Sequence, residues 1–207
     1  MTLIIPFGEE CYTCASIDSK FNSVSSRTCA FPFDYVGHVF IEQITEKCRE
    51  LLTDSDRPDS IDIKLCGDKY FFIDTAHGFY YWHDTSYTNL SLFTASDWKA
   101  FRDKYKRRYD RLITAIRSGD PVLCISVNHY NNIYKGVYKR ESIIALYELL
   151  HSYNPNLSFL AVNYDPDCFT HGGLEHVTLP YNRELPFADS KAAFTISLNA
   201  FMRDKLI

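Results

Sequence analysis

Residues 122–127 read V-L-C-I-S-V, an apolar run that Pro121 precedes and Asn128 follows. A short continuous apolar run with such boundaries predicts a strand that is buried on both faces. Two comparable runs follow it, L-S-F-L-A-V at 157–162 and H-V-T-L-P at 176–180. Buried strands of this kind are typical of a parallel sheet with helices on its faces.

Helices are predicted between and around these strands. In the longest of them, apolar residues recur every three or four positions, Thr94 and Asp97 fit a capping pair, and Gly119 ends the helix. Strands that alternate with helices favour an α/β fold with a mostly parallel sheet. The predicted helices cover about 10–22, 36–52, 96–118, 139–152 and 188–205.

The first half of the chain adds a strand and a hairpin to this pattern. The run T-L-I-I-P-F at 2–7 predicts another buried strand. The stretch K-Y-F-F-I-D-T-A-H-G-F-Y-Y-W-H at 69–83 predicts two aromatic strands around a turn at 76–78. We therefore expect a single α/β domain over 1–207, a mostly parallel sheet flanked by helices with an aromatic β-hairpin insertion.

The composition is that of an ordinary globular protein, with 207 residues of which 46% are hydrophobic and 23% charged. A formal net charge of −4 gives no electrostatic case for binding nucleic acid or an anionic membrane. No run approaches the roughly 18 apolar residues of a membrane span, and the N-terminus lacks the features of a signal peptide. The composition predicts a soluble cytoplasmic protein that binds neither nucleic acid nor a membrane.

Seven cysteines at irregular intervals, without a signal peptide, indicate reduced thiols. Cys11 and Cys14 have the spacing of a redox pair, but no thioredoxin-like order of elements follows them. They also lack a second close pair of zinc ligands, because His171 and His176 lie far along the chain. We expect neither a metal nor a cofactor.

Polar or reactive residues follow each of the predicted parallel strands. Sheets of this kind bind ligands beyond the carboxyl ends of their strands, so these residues are expected to share a site. They are Gly8, Glu9, Glu10 and Cys11 after the first strand, Asn128 and His129 after the second, Asn163 to Asp165 after the third, and Asn182 and Arg183 after the fourth.

Cys11 is a candidate nucleophile. It is predicted to lie at a helix N-terminus, where unpaired N–H groups and the helix dipole favour a thiolate and lower the thiol pKa. A thiolate nucleophile also needs a base that a third group orients. His83 beside Asp84, and His129 beside Asn128, are both candidates for that base. Packing of Cys11 without any chemistry is the other interpretation.

Two further patterns point to anion or metal chemistry. Most basic residues of the helix at 96–118 should face solvent, but Arg108 or Arg111 can turn inward to bind a carboxylate or phosphate. Asp165 and Asp167 form the D-x-D pattern with which nucleotide-sugar transferases hold a divalent ion. The same pattern is common in turns, so both interpretations stay open.

The chain resembles a poorly characterised family identified as papain-like cysteine peptidases, which occurs in bacteria and large DNA viruses. The resemblance covers about the first 130 residues, and the last third matches only in outline. It rests on four blocks, G-E-E-C-Y at 8–12, F-P-F-D-Y at 31–35, W-H-D at 82–84 and Y-K-R-R-Y-D-R-L at 105–112.

The resemblance implies that Cys11 is the nucleophile and His83 the base, with Asp84 or Asp34 as the orienting carboxylate. It also places Arg108 and Arg111 next to the site. A papain-like enzyme forms and hydrolyses an acyl-enzyme, using a thiolate–imidazolium pair and an oxyanion hole. The resemblance further implies an alternative fold, an α+β papain-like domain with the histidine on an antiparallel sheet.

Three functional hypotheses follow. The first is a cysteine hydrolase or acyl transferase that acts on a peptide, acyl or glycan-linked substrate, in the host cytoplasm if the protein is viral. The second is a sugar- or phosphate-handling transferase, and the third is a non-catalytic interaction protein with an enzyme-like fold. The transferase would use Asp165, Asp167, Asn182, Arg108 and Arg111 at the strand ends.

Overall fold

The computed structural model describes residues 3–8, 31–33, 40–53, 61–81, 84, 86–128, 139–179 and 187–206. Its helices are α1 Ile41–Thr53, α2 Ala95–Arg117, α3 Arg140–Tyr153 and α4 Phe187–Leu206, with a short 3₁₀ turn at Leu90–Leu92. Its strands are β1 Leu3–Gly8, β2 Ile61–Cys66, β3 Lys69–Asp74, β4 Phe79–Tyr80, β5 Ser86–Tyr87, β6 Val122–Val127, β7 Leu157–Val162, β8 Phe169–His171 and β9 Leu174–Val177.

The main sheet has the order β1-β6-β7-β9-β8. Its first four strands are parallel, and the short β8 pairs antiparallel with β9. Helices lie on both of its faces, so the sequence correctly predicted a mostly parallel sheet flanked by helices. Within the described residues no helix combines the length and apolar character needed to cross a membrane.

Alternating side chains of the parallel strands build two separate cores. Ile5, Cys124 and Phe159 point to the face covered by α1, α2 and α3. Ile125 and Leu160 point to the opposite face, where α4 packs. Burial on both faces is the reason that β6 and β7 appear in the sequence as continuous apolar runs.

Among the described strands, β1 is at the edge of the main sheet and pairs with β6. Pro6 lies within it, opposite Ile125. Proline has no N–H to donate to a ladder and is therefore confined to edge strands. Pro6 was thus a local signal for the edge position of β1.

A smaller antiparallel sheet lies between α1 and α2 along the chain. Strand β3 pairs with β2 over its whole length, but with β4 only at two positions, around the turn at 75–78. The aromatic hairpin expected over 69–83 is therefore not confirmed as such. The buried ring of Phe72 stacks on Phe101 at 4.1 Å between centroids, which attaches this sheet to α2.

The observed boundaries differ from the expected ones at two places. The helix expected over about 36–52 lies at Ile41–Thr53, and Phe40, which precedes it, is 51% exposed. The strand expected at 176–180 lies at Leu174–Val177. The helix expected at 10–22 lies outside the described residues.

The boundaries of α2 agree with the expected caps. Thr94 and Asp97 form a reciprocal capping box, in which each side chain bonds to the other residue's backbone N–H. At the other end Gly119 has φ +73, the left-handed conformation in which glycine commonly terminates helices.

Candidate functional site

Two buried asparagines connect the carboxyl ends of β6, β7 and β9. The Asn128 N–H donates to the Val162 carbonyl at 2.9 Å, and its side-chain Nδ2 donates to the Asn163 carbonyl at 2.8 Å. The Asn163 N–H donates in turn to the Val177 carbonyl at 3.0 Å. Both asparagine side chains are fully buried. The predicted position of Asn128 at this edge is therefore the observed one.

Asn163 has an unused donor at this edge. Its backbone adopts φ +63, an uncommon conformation for a residue other than glycine. Its Oδ1 accepts the Leu179 N–H at 2.9 Å, which fixes the orientation of the amide. Among the described residues, no acceptor lies within reach of Asn163 Nδ2, although that atom is sealed from solvent.

Asp165 is engaged by Arg140 at the start of α3. The guanidinium donates from Nε and Nη2 to the two carboxylate oxygens, each at 2.8 Å, and Asp165 Oδ1 also accepts the Asp167 N–H. Burial raises the pKa of Asp165, but the Asp167 N–H and Arg140 outweigh it and hold that pKa below its ordinary range. Asp165 therefore fixes a turn, the second of its two expected roles.

No group of three His, Cys, Asp or Glu side chains that could hold a metal ion occurs within the described part of the chain. Asp167 contributes its N–H to the turn through Asp165 Oδ1. The described residues therefore provide no ion site at the D-x-D pattern.

His176 on β9 also has a positioning role. Its Nε2 accepts the N–H groups of Tyr164 and Asp165 at 2.9 and 3.2 Å, so its Nδ1 carries the proton and donates to the Asp167 carbonyl. Burial lowers the pKa of His176, which favours this neutral form. The sequence singled out His176 only as a remote zinc ligand and missed this function.

A second polar cluster lies between residue 84 and α2. The side chain of Asp84 is 7% exposed and forms an ion pair with Lys104. The Tyr105 hydroxyl donates to Asp84 Oδ2 at 2.7 Å and accepts a hydrogen bond from Arg108 Nη1 at 3.3 Å. Burial and the Asp84 charge raise the pKa of Tyr105, so the hydroxyl keeps its proton and remains a donor.

This cluster is distant along α2 from the amino end of β1. Ala115 lines a cavity with Leu3, at the amino end of β1. From Ala115 back to Lys104 the helix rises roughly 16 Å at 1.5 Å per residue.

Arg111 lies elsewhere. It lines the same cavity as Leu3, Phe31 and Val122, at the amino ends of β1 and β6. The structure therefore separates Arg111 from Asn128, which is at the opposite edge, although the transferase hypothesis needed Arg111 at the strand carboxyl ends.

A third cluster, which the sequence interpretation missed, connects α1 to the turn after β3. Asp74 is fully buried, with Lys47 Nζ 3.2 Å from its Oδ2 and His77 Nδ1 3.0 Å from its Oδ1. Glu50 lies 3.1 Å from Lys47 and 3.2 Å from His77 Nε2. The available signal was Lys47 itself, a charged residue on the apolar face of α1 beside Cys48.

The remaining candidates lie outside the described residues. These are Glu9, Glu10, Cys11, Cys14, Asp34, His83, His129, Asn182 and Arg183. The pairing of Cys11 with a histidine base therefore stays a prediction.

No family model, curated protein or solved structure matches this chain.

Proposed function

We propose that this protein is a cysteine hydrolase or acyl transferase in which Cys11 attacks the substrate. His83 takes the thiol proton, and Asp84 orients the imidazole, with Asp34 as the alternative carboxylate. The resemblance to papain-like cysteine peptidases supports this assignment, as does the chain order of cysteine before histidine. The proposed substrate is a peptide, acyl or glycan-linked compound, and the proposed compartment is the cytoplasm.

The surroundings of Asp84 are the observation that carries the proposal. Asp84 follows His83 directly, and its nearly buried carboxylate is fixed by Lys104 on one oxygen and Tyr105 on the other. A carboxylate offers roughly four lone-pair sites, so it can still accept a proton donor from an imidazole. Fixed carboxylates of this kind orient the base in catalytic triads.

The position of Cys11 after β1 also supports the proposal. Gly8 ends β1 at the carboxyl edge, and Cys11 follows three positions later. Because parallel sheets bind ligands beyond this edge, a nucleophile there would meet its substrate.

In the proposed reaction, the Cys11 thiolate attacks a carbonyl carbon and backbone N–H groups near Cys11 stabilise the resulting oxyanion. The His83 imidazolium then protonates the leaving group as the carbon–heteroatom bond breaks. The thioester that remains is cleaved by water or by an acceptor, which His83 deprotonates. Gly8, Glu10, Asn128, His129 and Arg183 would surround the substrate at this edge.

Thiol alkylation tests the proposal, because the chain carries its own reference thiols. Cys168 is exposed and represents ordinary reactivity, whereas burial raises the thiol pKa of Cys48 and Cys124 and keeps them unreactive. We expect iodoacetamide to label Cys11 at least about tenfold faster than Cys168 at pH 6.5, with a rate midpoint below the ~8.5 of a free thiol.

The variants assign the roles. His83→Ala and Asp84→Asn should each raise the pH midpoint of Cys11 labelling, whereas His129→Ala and Cys14→Ser should leave it unchanged. Labelling of Cys11 no faster than of Cys168 would refute the proposal. If Asp34→Asn raises the pH midpoint of Cys11 labelling and Asp84→Asn does not, the carboxylate that orients the imidazole is Asp34.

A further inference from the structure

Arg108 is a buried cation that no carboxylate of the described residues balances. Its side chain projects from the buried face of α2, and the residue is 7% exposed. Its recorded contacts are the Tyr105 hydroxyl, 3.3 Å from Nη1, and the Tyr105 ring, 5.1 Å from the guanidinium carbon. Among the described residues no carboxylate lies within ion-pairing distance of Arg108. Arginines are rarely buried without such a partner.

The described side chains of this cluster leave an excess of one positive charge. Asp84 is the one nearby anion of the described cluster, and it pairs directly with Lys104. It reaches Arg108 only through the Tyr105 hydroxyl, which donates to Asp84 and accepts from Arg108. One carboxylate therefore lies between two cations, of which Lys104 is partly exposed and Arg108 is buried, so desolvation makes the unbalanced Arg108 charge costly.

Among the described residues, most hydrogen-bond donors of Arg108 also have no acceptor. A guanidinium has five N–H donors in a planar fork, and the contact with Tyr105 uses one of them. None of the other nitrogens belongs to the described polar atoms that are sealed from solvent without a partner. By contrast, Arg140 uses two nitrogens on Asp165, as arginines with a structural function do.

We propose that Arg108 binds an oxyanion, a carboxylate or phosphate group of the ligand, with the Tyr105 ring against its guanidinium. The planar fork matches the two oxygens of such a group, and the bound charge neutralises the excess in the cluster. This inference rests on the described residues alone and does not depend on Cys11.

Thermal unfolding of the full chain tests the inference. The melting temperature is measured in chloride, acetate and phosphate at equal ionic strength and pH, which separates a carboxylate ligand from a phosphate ligand. A ligand that binds only the folded state raises this temperature, and we expect about 2–4 °C when the better of the two oxyanions is at several times its Kd.

The variants locate the response. Arg108→Met should abolish the oxyanion-dependent rise, and Arg108→Lys, which keeps the charge without the fork, should weaken it. Arg107→Met on the exposed face of α2 is the matched control and should respond like the unmodified chain. Cys11→Ala should also respond normally, so a failure of the proposed thiol chemistry is distinguished from a failure at Arg108.

The chloride arm gives a second readout. Removal of an unbalanced buried cation should leave the melting temperature of Arg108→Met equal to or above that of the unmodified chain. A melting temperature several degrees lower in chloride, or an oxyanion response that survives Arg108→Met and Arg108→Lys, would overturn the inference. Absence of any rise with both oxyanions in the unmodified chain would overturn it as well.

Discussion

Replacement of Lys47 by methionine should destabilise the fold strongly, although methionine retains much of the aliphatic stem. Lys47 Nζ lies 3.2 Å from the fully buried carboxylate of Asp74 and 3.1 Å from Glu50. Burial raises the pKa of Asp74, but the His77 hydrogen bond and the Lys47 charge outweigh it and lower that pKa from 3.8 to about 2. The substitution would leave the Asp74 charge buried without its cation.

The magnitude follows from that shift. A drop of nearly two pKa units corresponds to about 2 kcal/mol in favour of the charged carboxylate, shared between Lys47 and His77. Loss of one partner of a buried ion pair typically costs about 3–5 kcal/mol, because the other charge stays buried. Since His77 still bonds to Asp74, we expect Lys47→Met to lower the free energy of unfolding by about 2–3 kcal/mol at pH 7.

The pH dependence gives an independent check. The folded pKa of Asp74 is below its unfolded value of about 3.9, so its contribution is complete above that pH and is lost as the pH falls toward 2. Without Lys47 the folded pKa rises, and stability conferred by the charged form is lost closer to pH 4. Urea unfolding between pH 2 and 7 measures both effects.

Two variants serve as controls for Lys47→Met. Lys106→Met removes an exposed pair with Asp110 on α2 and should change the unfolding free energy by less than about 0.5 kcal/mol. Asp74→Asn keeps an oxygen that accepts the Ala76 and His77 N–H groups. The double variant with Lys47→Met should therefore lose less unfolding free energy than the sum of the two single losses. A Lys47→Met chain as stable as the unmodified one would refute this reasoning.

Three further predictions concern the carboxyl edge. Burial lowers the folded pKa of His176, so protonation below about pH 6.5 should reduce the free energy of unfolding, because it removes the Nε2 acceptor of the Tyr164 and Asp165 N–H groups. Urea unfolding between pH 7.5 and 5.5 should therefore show a smaller loss of stability in His176→Asn than in the unmodified chain. Arg140→Ala should lower the free energy of unfolding, measured from the urea midpoint, by about 1–2 kcal/mol. Because Asp165 fixes a turn rather than a metal ion, Mg²⁺ should not restore the lost stability. Ser126→Ala and Tyr164→Phe should each lower the free energy of unfolding, measured by thermal unfolding, by about 1 kcal/mol. The double variant should lose less than the sum of the two, because the two hydroxyls share one hydrogen bond of 2.7 Å.

The elements predicted best from the sequence are those with strong local signals. Strands β6 and β7 lie at the quoted apolar runs, because both of their faces are buried and hardly any position needs to be polar. Helix α2 was predicted to within one residue at each end, because Thr94, Asp97 and Gly119 mark its ends by local hydrogen bonding and backbone geometry.

The strands of the smaller sheet have weaker signals. In β2, the residues Ile61, Ile63 and Leu65 alternate with charged or polar ones, which is the period of a strand with one face in water. That signal was available and was missed. Strand β8 has only three residues, so its position depends on pairing with β9 rather than on its own pattern.

The functional clusters could be predicted only in part, because their partners are distant in sequence. Asn128 and Asp165 were placed at the strand ends by their position after apolar runs. The Asp165 carboxylate is bound by Arg140, which lies 25 residues earlier in the chain. The Asp84 carboxylate is bound by Lys104, which lies 20 residues later. No local pattern encodes these pairings, which arise only when the helices pack on the sheet.

The polar clusters at Asp74 and at Asp84 differ in how their charges balance. In the Asp74 cluster, Lys47 pairs with Asp74 and Glu50, while His77 directs one ring nitrogen to each of the same carboxylates. Such mutual pairing needs no ligand, and it attaches the turn after β3 to α1.

The hydroxyls of Tyr81 and Tyr109, 2.8 Å apart, lie between the Asp74 cluster and the Asp84 cluster. In the Asp84 cluster, the carboxylate pairs with Lys104 and reaches the Arg108 guanidinium only through the Tyr105 hydroxyl. No carboxylate of the described residues pairs with that guanidinium directly. For stability alone, an apolar side chain of similar volume would suit this position better. The anionic ligand that we propose at Arg108 accounts for the buried guanidinium.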